Sequence, residues 1–224
     1  MYIPTGELDT GKPGSFSRTE LLHLAIAIVV LTCAFSFVFS GNSLLFGFQH
    51  LENMPVALLV AFFSILSAFF FHELAHKFMA QKYGMWSEFR MYPLGLLLSV
   101  VTAVCTGFTF AAPGAVMFRG GTRSFETGRI AAFGPLANIL TAAITFILSY
   151  QLFEVTIDSI NLGFVMIFIS MINAVLAVFN LLPFGPLDGE KVIRWNGVVW
   201  SILLISAILL FTGNYIRGVP LIGQ

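Results

Sequence analysis

The 224-residue chain is 58% hydrophobic and 10% charged, carries 25 phenylalanines, and balances eleven basic against eleven acidic residues for a formal net charge of zero. A mean hydropathy of +0.91 excludes an ordinary soluble domain and implies an integral membrane protein. The zero charge excludes the basic footprint that nucleic-acid binding requires.

Residues 1–20 mix charges with Pro4, Gly6, Gly11, Pro13 and Gly14 and show no helical period, so they are predicted as a flexible tail. Residues 21–224 form the membrane domain. Residues 21–40 are apolar for about one membrane thickness, longer than the core of a signal peptide and without a small-residue cleavage site, so a retained anchor is expected. Pro55 suits the first turn of a second helix over residues 55–82. Cys33 and Cys105 lie in separate apolar stretches and predict buried thiols rather than a disulfide framework or a cysteine zinc site.

Between residues 84 and 118 the chain is apolar but interrupted by Pro93, Gly95, Gly107, Pro113 and Gly114. Residues 94–110 read as a span on hydropathy alone. Charge placement argues otherwise, because lysine and arginine collect in cytoplasmic loops. They cluster here at Lys12 and Arg18, at Lys77, Lys82 and Arg90, at Arg119, Arg123 and Arg129, and at Lys191 and Arg194, whereas residues 41–54 and 151–160 contain none. If 84–118 returns to the side it left, all of these clusters fall on the cytoplasmic side. A re-entrant excursion with short strands is therefore predicted, surrounded by protein or a water-filled cavity as non-helical backbone at membrane depth must be. Three further helices are expected over residues 130–150, 162–182 and 197–212. Arg217 then falls outside, against the charge rule. The fold class is thus an all-α polytopic membrane protein with about five transmembrane helices, six if 94–110 also crosses. Its N-terminus is cytoplasmic and it lies in the cell membrane.

The far end of the second helix reads His72-Glu73-Leu74-Ala75-His76. On a helix the two histidines stand one turn apart on one face, so two imidazole nitrogens reach one metal ion, and Glu73 lies about 100° round from His72. This is the His-Glu-x-x-His arrangement of zinc peptidases, with the glutamate as base rather than ligand. Two histidines and a glutamate inside an apolar helix are costly unless paired or bound to something. Ala61, Ser64 and Ala68 share their face.

A catalytic zinc takes three protein ligands and keeps one position open. The remaining histidines, His23 and His50, fall at a helix entry and in an outer loop, both poorly placed. Asp188 follows the break of the fourth helix at Pro183 and arrives at the membrane level of the metal helix, although Leu187-Asp188-Gly189 taken alone is a turn signature. Glu126, in an Arg-rich loop, and Glu154, on the opposite side, are weaker candidates.

Together, His72-Glu73-Leu-Ala-His76 with Ala80 and Gly84 behind it, Gly134-Pro135-x-x-Asn138, and Asn180-x-x-Pro183 with Leu187-Asp188-Gly189 resemble the site-2 protease family of intramembrane zinc metalloproteases. The resemblance covers residues 55–192, with Ala75 where many members have glycine. It implies one zinc per chain held by His72, His76 and Asp188, and Glu73 as general base. It also implies cleavage of membrane-anchored protein substrates in or near their transmembrane segments, with the active site toward the cytoplasm. Asn138 and Asn180 are candidates for a hydrogen bond to substrate or oxyanion, set against ordinary helix-to-helix bonding, the role expected for Asn173. The alternative is a catalytically inactive scaffold or a metal-handling membrane protein of the same fold.

Overall fold

The computed structural model describes residues 16–109, 113–119, 124–157 and 160–222. The tail expected over 1–20 lies outside the described residues up to Ser15. Helix α1 (Arg18–Ser40) begins where the Ser17 hydroxyl accepts the Glu20 amide at 3.1 Å, so the first span starts three residues before the apolar run. A one-turn 3₁₀ helix (Leu51–Asn53), α2 (Met54–Ile65), a π turn (Leu66–Phe70) and α3 (Phe71–Lys82) make one continuous rod, Leu51–Lys82. Three more spanning segments follow. They are Phe125–Gln151 within α5 (Ser124–Gln151), α6 (Leu162–Asn180), and Gly197–Arg217 within α8 (Gly197–Ile222). Among the described residues, five helices are thus long and apolar enough to cross a membrane.

The two ends of the region 84–118 lie side by side. Strand β1 (Trp86–Met91) pairs antiparallel with β2 (Gly114–Arg119), and Trp86 lies opposite Arg119, so the excursion ends beside its starting point. Between the strands stands an ordered helix, α4 (Pro93–Thr106), where irregular chain was expected. Its 14 residues rise only about 21 Å, short of the roughly 30 Å of hydrocarbon. Proline in its first turn and Gly107 in the left-handed conformation (φ 71°) after its last give it clean ends. Beyond it the chain turns back, since the Thr109 hydroxyl donates to the Ser99 carbonyl at 2.9 Å. The far end of α4 is tied to the 41–53 loop, whose Leu44 and Leu45 amides donate to the carbonyls of Val104 and Cys105.

Small residues let the spanning helices approach closely. Ala61, Ser64, Ala68, His72 and His76 are all buried along the rod, and α5 packs against α3, α6 and the short α7 (Asp188–Trp195). Cys33 and Cys105, in contrast, are exposed and unpaired rather than buried. The outer surface of a membrane bundle is as apolar as its core, so hydropathy does not tell the two apart. Arg217, the exception to the charge rule, lies over the Tyr150 ring at 3.3 Å from its centroid and donates to the Ser149 carbonyl, near the end of α5.

Candidate metal centre

His72 and His76 project from the first half of α3, about 15 and 9 Å from its end at Lys82 by helix rise, so they lie inside a spanning segment. Two external acceptors fix their rings. His72 Nδ1 donates to Asn138 Oδ1 at 2.5 Å, and His76 Nδ1 donates to the Ile130 carbonyl at 2.8 Å, both acceptors belonging to α5. An Nδ1–H on each ring leaves both Nε2 atoms as lone-pair donors, and they point at one spot, 3.0 Å apart. Asp188 Oδ2, from the start of α7, lies 3.0 Å from one and 3.3 Å from the other.

Three electron-pair donors converging in a buried place need a positive charge among them. Tetrahedral zinc with bonds near 2.0–2.2 Å separates its ligands by about 3.3 Å, close to the triangle observed. The donor set of two imidazoles and one carboxylate also suits zinc, so the residues present fit that ion. Among the described residues, this is the one group of three such side chains close enough to share a metal. Asp188 lies outside the spanning helices. Burial pushes its carboxyl up, but without a metal the imidazoles of His76 and His72, when protonated, outweigh burial and hold it well below the usual carboxylate range.

The supports of the site are built from local sequence. Gly134 lets α5 close onto α3, since a Cβ there would fall against both imidazole rings, 2.7 Å from His72 Cε1. The Asn138 amide is fully buried, and its Nδ2 donates to the Ala68 carbonyl at 2.7 Å and to Asn173 Oδ1 at 3.0 Å. Ala68 sits in the π turn, where the widened winding disturbs the regular helical pairing and such a carbonyl can accept from outside the helix. Gly189 has the Leu181 backbone where a Cβ would be, which lets the start of α7 fold back against the end of α6.

Glu73, also buried, is not in the triangle. Its Oε2 accepts the Val116 amide at 3.0 Å. That bond shows which way β2 faces. Val116 is the register partner of Phe89, whose own amide donates to Glu20, so the pair exchanges no hydrogen bonds and the Val116 main chain points away from β1. Glu73, Gly114, Val116, Phe118 and the metal triad all line one cavity of about 510 Å³, walled elsewhere by apolar side chains of α1 and α6. Asn180 also lines this cavity, with its Nδ2 donating to Leu176 within its own helix at 3.1 Å. Asn138 does not line it. His23 and His50 are not part of the cluster.

Sequence reasoning did not anticipate the Ile130 carbonyl, the Val116 amide or Lys191, which bonds Asp188 Oδ1 at 3.2 Å. Only Lys191 carried a readable signal, being three residues after Asp188 on the same helix face.

Similarity to known proteins agrees with this geometry. The chain is 37% identical over 209 residues to "Putative zinc metalloprotease MJ0611" of Methanocaldococcus jannaschii, covering 93% of each protein. The chain belongs to this zinc metalloprotease family. The chain is also 30% identical over 167 residues to "Putative zinc metalloprotease YwhC" of Bacillus subtilis, covering 66% of this chain and 72% of that one. It is 25% identical over 176 residues to "Zinc metalloprotease MJ0392" of M. jannaschii, covering 43% of that longer protein. No protein-family model matches the metalloprotease, and no solved structure matches it significantly.

Proposed function

We propose that this metalloprotease is an intramembrane-cleaving endopeptidase of the site-2 protease type, acting on membrane-anchored proteins within or near their transmembrane segments. The observation that carries the reading is that His72, His76 and Glu73 lie inside a spanning helix and share with Asp188 one cavity with apolar walls. A soluble peptide has no need of such walls.

His72, His76 and Asp188 would hold one zinc through Nε2, Nε2 and Oδ2. Zinc there supplies a Lewis acid that polarises the scissile carbonyl and lowers the pKa of water toward about 7. Glu73 is the general base. Its Oε2 is held by Val116, which leaves Oε1 to take a proton from the attacking water and return it to the leaving amine. Asn138 acts through His72, fixing its tautomer, and is a positioning residue; Asn180, which lines the cavity, is the remaining candidate for a hydrogen bond to substrate. The outward main chain of β2 beside Glu73 can accept an unwound substrate segment as an added strand, which presents its peptide bonds in extended form. The basic clusters at 77–90, 119–129 and 191–194 orient this end, and the N-terminus, toward the cytoplasm.

The test is metal analysis of purified wild type and Asp188→Ala, alongside cleavage of a single-span substrate by wild type and Glu73→Gln. We expect one equivalent of zinc, lost with Asp188, and product ends that map inside the apolar segment. Glu73→Gln should keep its zinc and lose about 10²- to 10⁴-fold in rate. Stoichiometric zinc without any cleavage of membrane substrates would leave the metal-handling reading in its place.

A further inference from the structure

Asp188 divides its two oxygens between different partners. Oδ2 faces both imidazoles, at 3.0 and 3.3 Å, whereas Oδ1 turns to Lys191 Nζ at 3.2 Å. The χ2 torsion of an aspartate is broad and intrinsically holds neither oxygen in place, so the division must be imposed from outside. Lys191 is suited to impose it. It stands one turn further along α7, and just beyond it Val192 is fully buried, which fixes the rotation of the helix. Its side chain is only about one-third exposed, at 37%, and among the described residues lining the cavity it is the one lysine or arginine.

We propose that Lys191 is a positioning residue of the metal centre, which holds Oδ1 of Asp188 away from the histidine pair so that the carboxylate offers a single oxygen. The consequence is coordination number. A carboxylate free to turn can offer both oxygens and take up a coordination position that water or a peptide carbonyl would need. A lysine ammonium keeps that position open by holding the second oxygen. Because a surface ion pair contributes little, the role lies in geometry and not in stability. The inference rests on the zinc reading above, but not on proteolysis.

The test uses the full-length protein in detergent, loaded with zinc or with cobalt as a spectroscopic substitute. Lys191→Met should hold zinc about 10- to 100-fold less tightly against a chelator, as loss of a ligand's supporting partner does. Its cobalt form should show weaker visible absorption, the mark of a site expanded beyond four ligands. Lys191→Arg should restore both, and Lys191→Gln should behave like the methionine variant, which guards against a defect particular to methionine. Lys191→Met with wild-type zinc retention and an unchanged cobalt spectrum would overturn the inference alone. Wild type that takes up neither metal would overturn the zinc reading itself.

Discussion

His76 and Lys77 are neighbours on α3, yet each belongs to a different buried cluster of charged groups. Lys77 Nζ donates to both oxygens of Glu20, at 2.9 and 2.7 Å, and to the Ser87 carbonyl at 2.9 Å. Glu20 also accepts the Phe89 amide at 3.0 Å, and neither side chain is more than 1% exposed. Among the described residues charge is balanced here, one cation against one anion, and donors meet acceptors. The triad one residue away is the opposite case, with three acceptors aimed at a point that holds no donor in common and that opens onto a cavity. A self-satisfied cluster joins elements, in this case α1, α3 and β1. A cluster with surplus acceptors needs something bound.

The sharpest way to break this comparison is to make the balanced cluster unbalanced. Lys77→Met leaves Glu20 as an unpaired carboxylate in sealed surroundings, and we expect about 3–5 kcal/mol of destabilisation, read as a lowered thermal unfolding temperature in detergent. The double variant Glu20→Leu/Lys77→Met removes both charges and should recover most of that loss. Zinc per folded molecule should stay at the wild-type value in both. If Lys77→Met instead loses zinc at unchanged stability, the two clusters are one functional unit and the distinction fails.

The comparison is sharpened from the other side by Asn138→Ala. This change leaves the three ligands in place and removes the acceptor that fixes the His72 tautomer. Zinc retention should fall about 10- to 100-fold, measured by chelator competition. Thermal stability should fall less than for Lys77→Met, because the amide that is lost is uncharged.

The Glu20–Lys77 cluster and the triad differed in how far the sequence displayed them. His72, His76 and Glu73 were readable because a helix fixes their mutual geometry in five residues. The excursion with short strands was foreseen from where Arg119, Arg123 and Arg129 must lie, but not which residues of β1 and β2 pair. Helix α4 was hidden because Pro93 and Gly107, which signal breaks in most settings, stand at its two ends. Glu20 could not be recognised as the partner of Lys77. The two are 57 positions apart, and no local pattern marks one buried glutamate at the end of an apolar run. The same holds for backbone groups such as the Val116 amide and the Ile130 carbonyl, whose roles come from packing and carry no side-chain signature. The exposed Cys33 and Cys105 show the further difficulty that a lipid-facing position and a core position have the same composition.

The smallest effect tests how far the polar support of the triad extends. Asn173 lies one bond beyond Asn138. Its Oδ1 accepts from Asn138 Nδ2, and its own Nδ2 donates to Ser67 Oγ and the Ile169 carbonyl, each at 2.9 Å. Asn173→Ala removes one of two acceptors on Asn138 Nδ2, but the Ala68 carbonyl of the π turn, at 2.7 Å, remains to hold the amide in its orientation. An interhelical hydrogen bond in a membrane protein is worth about 0.6 kcal/mol on average, or roughly threefold in an equilibrium. We therefore expect chelator competition to show no more than about a threefold loss of zinc retention, against the 10- to 100-fold expected for Asn138→Ala. Equal losses in the two variants would mean that the π-turn carbonyl does not suffice to orient Asn138. The support of His72 would then be a network reaching α6 rather than the single contact from α5.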